Sequence, residues 1–526
     1  MKRLLKTSAA EKYLVRRRLS NGTLIAIAFL MILSMSCPLA KAQCGSLKPG
    51  ETVWVRLLQP LASYSGKAGD RVQAMVIESP TCDGAEEVAA GTIVEGEIIA
   101  ARRVGMGLVH ETATLRVDFG HLLTKDGKEI EISARVMEID NARETVKNGV
   151  IHGVNATDTP QGRITSRLKH LPTWNPYSDL TLVAYRAAFP VFPEPEIYLP
   201  RGTDVKLELA TELRVPEEMR ATVQTGTPDE IARATMEIIL PSLPERTTTR
   251  YGQAADFVNV ALVGTADQMD QAFHAAGWAL GDPTSTRSVM REMHAFLAFK
   301  NYPEAPISRQ LVDGVPVSAT WEKSLDSYEK REHLRVWARN DVFGGQTVWL
   351  GAMTRETGAT LSVKQHKFIH HIEADMDAGR GMLVRDLSLA GCVASVYYVD
   401  RPRMEHAAMN ATGDAMRTDG SLAVVQLKNC ENPVFEQQAA DARVIATRPH
   451  SKFARYARMQ ILSFKSDVVR GNIVYGMFDL TRMAIRARRN HAQRVELTRQ
   501  VETQRAPQVN VAVASTSATM NAPFDE

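Results

Sequence analysis

Aromatic residues are scarce in this 526-residue chain, at 6%, and its formal net charge is only +3. Nucleic-acid binders show a clustered basic field or a platform of stacking rings, and this sequence has neither. Its five cysteines form no C-x-x-C pair, which argues against zinc ribbons and thioredoxin-type chemistry. There is no G-x-S-x-G elbow, no H-E-x-x-H, no Walker A loop and no G-x-G-x-x-G turn. Past residue 42 no run is long and apolar enough to cross a membrane as a helix. What remains is ordinary for folded domains: 44% apolar, 23% charged, and a length suggesting about three or four units.

Residues 1–42 read as an export signal. Seven basic side chains between Lys2 and Arg18 precede the apolar run "LIAIAFLMIL" at 24–33, and Ala40 and Ala42 precede the expected cut. Retention as an uncleaved anchor is the alternative, because no charge falls between residues 21 and 40. Either outcome exports the rest, to the periplasm or outer envelope, where disulfides persist. Cleavage leaves Cys44, Cys82, Cys392 and Cys430. "CVASVYYVD" (392–400) and "SLAVVQLKNC" (421–430) both read as strands. Laid antiparallel, the first residue of one faces the last of the other, which joins Cys392 to Cys430. Cys44 and Cys82 bracket "TVWVRLL" and "DRVQAMVIE" in the same way. Four buried free thiols are the alternative.

Residues 43–213 are β-rich. "GETVWVRL", "GTIVEGEI" and "GTDVKLEL" each lead from a Gly turn into an alternating strand. The expected architecture is an all-β barrel or sandwich. An irregular insert at 141–200 interrupts it, with "SDLTLVAYRAAF" reading as a helix. With "PLASYSGKAGDRVQA" added, the region resembles the β-barrel domain of TrbI-like conjugation and secretion proteins. That resemblance implies a structural or partner-binding part. Residues 214–250 read as a linker with a short helix, begun by Thr227 and Pro228.

Residues 251–465 have an α+β texture, with a mostly antiparallel sheet. "TADQMDQAFHAAGW" and "TSTRSVMREMHAFLAF" read as helices, and "REHLRVWAR" with "QTVWLGAMT" as a hairpin. "VALVGTADQMDQAFHAAGW", "YPEAPIS", "EHLRVW", "VWLGA" and "HHIEADMDAGRGMLVRDL" follow in order. Over about residues 257–400 the chain resembles the LssY C-terminal domain family. The resemblance names a domain without implying a reaction, and Gly379 stands where the family pattern has an acid. Residues 466–505 read as a basic helix, with seven Arg against two Glu from 481 to 505. It is either a contact with an anionic membrane surface or a plain domain-terminal helix. Residues 506–526 read as a disordered tail.

Two constellations carry chemistry. In "HKFIHHIEADMDAG" (366–379), strand alternation splits His370 from His371, so the two cannot hold one ion. Asp375 caps the next helix and Asp377 lies in its first turn. No metal and no cofactor is expected. On "EHLRVWAR", His333, Arg335, Trp337 and Arg339 share one face. Arg335, Trp337 and Arg339 suit an anionic ligand, and His371 joining His333 and Arg335 would suit action on a phosphate ester. The simpler reading is a solvated sheet face. Together these features indicate an exported bacterial envelope protein of binding or assembly type. Its expected partners are envelope proteins or an anionic ligand, and not nucleic acid. A hydrolase acting on an anionic substrate, a phosphate ester or a lipid derivative, in the second domain is the alternative.

Overall fold

A computed structural model describes residues 44–431 except 84, 105–111, 125–126, 142, 155–195, 223–229, 299–300, 326–329, 344 and 363–366, together with 433, 485 and 488. The segment read as an export signal, His366, the helix expected in the insert, the cap at Thr227, the stretch read as a tail and nearly all of the stretch read as a basic helix lie outside the described residues.

Six strands close the N-terminal domain into a barrel: β1 (Thr52–Leu57), β2 (Arg71–Glu78), β3 (Ile93–Arg102), β4 (Thr114–Leu123), β5 (Glu129–Ile139) and β6 (Asp204–Leu209). The circuit runs β4–β3–β2–β1–β6–β5 and back to β4, and every pairing is antiparallel. Closure removes the open edges that a sandwich would leave. Alternation fills the interior. Ile132, Ala134 and Val136 of β5 point inward, as do Leu115, Val117 and Phe119 of β4. At Gly96, where the β3–β4 register slips, a Cβ would collide with the Asp118 carbonyl, so glycine is required. The Cys44–Cys82 disulfide lies beside the paired ends 46–47 and 213–214 of this domain.

The C-terminal domain is one sheet between helices. Its long strands are β7 (Val260–Val263), β8 (Ala319–Ser324), β9 (Arg331–Phe343), β10 (Gln346–Ser362), β11 (Lys367–Ile372), β12 (Val393–Asp400) and β13 (Ser421–Leu427). Their order is β8–β9–β10–β7–β13–β12, with β11 on the far part of β10, and only β7–β13 is parallel. The helices are α1 (Glu230–Ile239), α2 (Ala266–Ala275), α3 (Thr286–Ala298) and α4 (Met376–Leu389). Strand β7 is buried on both faces. Val260 and Leu262 pack with Phe273 of α2 and Leu383 and Leu387 of α4. Ala261 and Val263 face the other way, with Trp337, Leu350, Val424 and Met236 of α1. A capping box formed by Thr265 and Gln268 starts α2, and Asp375 starts α4 by accepting from the Asp377 and Ala378 amides. The β12–β13 ladder ends in the Cys392–Cys430 disulfide, as the antiparallel pairing predicts.

Ion pairs join the two domains. Arg56 of β1 grips Asp204 through Nε at 2.7 Å and also reaches Asp386 of α4 through Nη2 at 2.9 Å. Lys323 of β8 and the Trp278 indole donate to the other oxygen of Asp386. Arg355 of β10 pairs with Asp140, just past the barrel strand β5. Leu389 seats α4 against Leu58, Met75 and Ile77. Burial alone would push the Asp386 carboxyl up, but Lys323 and Arg56 outweigh it and hold it down at about 2. Between these pairs lies Glu332, fully buried, with neither carboxylate oxygen hydrogen-bonded among the described residues. Burial pushes its carboxyl up to about 8, with Asp386 and Asp140 adding to the rise against Lys323 and Arg355.

Two predictions follow from this interface. Removing Asp386 leaves Lys323 buried without its anion, so Asp386→Ala is expected to cost about 3–5 kcal/mol in denaturant unfolding. A loss below about 1 kcal/mol would show that the bridge contributes little. Glu332 holds its proton more tightly folded than unfolded. Its contribution is therefore complete below the unfolded value near 4.5 and is lost as pH rises through about 8. Glu332→Gln should flatten the fall in Tm across that window and leave the variant more stable at its alkaline end. Parallel Tm–pH curves for the two proteins would refute the assignment.

Candidate functional site

Strand β9 carries the row singled out above, and its two-residue period is kept. Arg331, His333, Arg335, Trp337 and Arg339 lie on one face, with Glu332, Leu334, Val336 and Ala338 on the other. The face is not a solvated one: Arg331, His333, Arg335 and Trp337 are buried. Burial forces each cation to find an anion.

Arg331 lies between two carboxylates. Its Nη1 is 2.8 Å from Glu322 Oε2 on β8, and its Nε is 3.1 Å from Glu356 Oε2 on β10. Glu356 also meets two histidines, His333 Nδ1 at 3.2 Å and His370 Nδ1 at 2.8 Å. The two rings lie 6.4 Å apart, and His370 Nε2 lies 3.9 Å from Glu292 of α3. Burial works against ionised Glu356, yet Arg331, His333 and His370 hold its carboxyl far below the usual range. Burial drives Glu322 well up, despite Arg331, and drives His333 well down, despite Glu356. Burial also lowers His370, but Glu356 and Glu292 reverse that and raise it. Two histidines and three glutamates are metal-ligand chemistry, but here the Arg331 guanidinium supplies the cation between the carboxylates. Among the described residues, the one group of three side chains whose ligand atoms converge closely enough for an ion is Cys44, Cys82 and Glu87, and both cysteines are in the disulfide.

Arg335 serves a second buried set. It donates to Asp256 Oδ2 at 3.0 Å, to the Ser308 carbonyl at 3.0 Å and to Ser308 Oγ at 3.1 Å. Gln310 donates to the same Asp256 oxygen at 2.7 Å. Arg335 thus ties the end of the "YPEAPIS" segment to the sheet. Trp337 lies in the apolar core beneath α1, and Arg339 pairs with Asp313 at 2.8 Å.

His371 does not join His333 or Arg335. It is half exposed, with Nδ1 2.9 Å from Asp414 Oδ1, and Asp414 is held in turn by Thr412 and Asn410. The neighbour that reaches His333 is His370, through Glu356. The two histidines do face opposite ways, but a register shift between Glu356 and Gly358 precedes them on the paired strand. The face was legible nonetheless: His370 alternates with Phe368 and Ile372, whereas His371 alternates with Ile369 and Glu373. Sequence reasoning missed the carboxylates Asp256, Glu292, Glu322 and Glu356, which come from four different elements and share no local motif. The acids of "EADMDAG" are structural, since Asp375 caps α4 and Asp377 accepts from Thr418 and the Asp419 amide. A cavity of about 380 Å³ opens between the domains, with Arg56, Asp204, His274, Lys323 and Asp386 in its wall.

No curated protein matches this chain. Among solved structures, ComB10 of the Com type IV secretion system of Helicobacter pylori is similar at 12% identity and a TM-score of 0.19, over 32% of this chain and 89% of that one. Residues 240–422 match the family described as LssY C-terminus, and that stretch holds both buried ion clusters of strand β9 in full.

Proposed function

We propose that the protein is exported to the bacterial cell envelope and works there by binding or assembly rather than by catalysis. One observation carries the reading. Each charged member of the β9 row is bonded to a carboxylate of its own domain, so the row that might have met an anionic substrate is used to hold the fold. A phosphate group entering at Arg335 would have to displace Asp256 and break both bonds to Ser308. The two disulfides fit an exported protein, because such bonds persist in oxidising compartments. The partners would be other envelope components, met by the outer surfaces of two domains that ion pairs hold together.

The hydrolase alternative makes opposite predictions. On the binding reading, Arg335→Ala leaves Asp256 buried and unpaired and costs about 3–5 kcal/mol of stability. His371→Ala, at a half-exposed position, changes stability by less than about 1 kcal/mol. Neither alters turnover of phosphate esters, because the parent chain has none. Parent turnover that disappears in both Arg335→Lys and His371→Ala would establish the hydrolase instead. Export is checked separately by cell fractionation and mass measurement. The reading expects periplasmic or envelope recovery with residues 1–42 removed, and full-length protein in the cytosol would end it.

A further inference from the structure

Helix α3 turns an apolar face to solvent. Its inward side holds Ser288, Ala295 and Phe296, all buried, the last two packed with Tyr302 and Ala305, and Glu292, which points at His370. Away from that side, at 100° per residue, stand Met290 and Met293, with Val289 at the edge beside Phe296; they are exposed by 64, 43 and 41%. Folded surfaces usually scatter such side chains singly. Here three occur within five residues of one helix. The helix's own basic residues lie beside this stripe. Arg287, Arg291 and His294 are exposed along its flank, while Glu292, the helix's only acid, is turned inward. A groove of about 840 Å³ runs along that flank, between α3 and the loop at 301–304. Its acidic members are Glu304 and Asp282, and Asp282 accepts from Tyr302 at 2.6 Å and Arg291 at 3.4 Å.

An apolar stripe bordered by cations matches the boundary between lipid chains and anionic headgroups. An apolar protein groove would gain nothing from the basic border. We propose that α3 docks this protein on an anionic bilayer surface. Val289, Met290 and Met293 enter the headgroup–acyl boundary, and Arg287 and Arg291 meet lipid phosphates. Charge complementarity selects this occupant. The proposal rests on the envelope reading only in requiring an anionic bilayer within reach, and the fractionation experiment above can fail or succeed without touching it.

Cosedimentation with vesicles tests it. The chain without residues 1–42, the form that signal cleavage leaves, is mixed with phosphatidylcholine vesicles and with vesicles also containing phosphatidylglycerol. Binding is expected to the second kind, to weaken with added salt, and to fall about tenfold in Met290→Ser/Met293→Ser and in Arg287→Gln/Arg291→Gln. The substituted side chains are exposed, and unchanged circular dichroism and Tm confirm that the variants fold. If the parent chain ignores the phosphatidylglycerol vesicles, the stripe is a protein contact and the proposal is overturned. If both double variants bind like the parent, lipid contact lies elsewhere, as on the basic segment 466–505, and the proposal is equally overturned.

Discussion

The carboxylate of Asp386 is shared by a guanidinium from the barrel and an ammonium from the second sheet, and the joint between the domains is built around it. Arg56 is itself held by Asp204 on the neighbouring barrel strand, so its direction is set before α4 arrives. A lone buried acid would be strongly disfavoured; two fixed cations reverse that and make the ionised form the stable one. The same charge orients α4, whose Leu389 then covers an apolar patch on the barrel wall. The geometry of the joint is therefore directional as well as adhesive, because an ion pair tolerates far less sliding than an apolar contact.

The same economy governs the β9 row. Guanidinium and imidazole groups are often read as ligand contacts because they recognise anions well. Buried in a sheet, they recognise the chain's own carboxylates instead. Arg331 links strands β8 and β10 across β9, Glu356 gathers His333 and His370, and Arg335 fastens a loop that has little secondary structure of its own. These are ties between distant parts of the sequence, and all of them lie within residues 240–422.

Local pattern was enough for much of this architecture. Alternation located the strands of both domains and the hairpin of β9 and β10, because period two survives whatever a sheet packs against, and antiparallel pairing of two such strands placed Cys392 against Cys430. Asp375 and Gly391 marked the ends of α4 for equally local reasons: one caps free amides, and the other adopts a left-handed backbone. Closure of the barrel was not legible, since it depends on β6 pairing with both β1 and β5, far from it in the sequence. Nor was the burial of the Arg and His side chains. Their neutralising acids lie between 9 and 79 residues away, and no periodicity reports such distances. Alternation separated the two adjacent histidines, but which of them meets His333 depends on Glu356 of the neighbouring strand, which a single strand read alone does not disclose.

The disulfide that ends the β12–β13 ladder has a mechanical meaning. Cys430 is the point where the chain leaves the sheet, and Cys392 follows directly on the turn that ends α4. Tension applied to the chain beyond residue 430 would otherwise peel β13 from its neighbours one bond at a time. With the covalent link in place, the load passes to residue 392 and from there along α4 to the domain joint. A pull on that end would then be borne by α4, which Asp386 and Leu389 hold against the barrel, rather than by the ladder hydrogen bonds of a single strand.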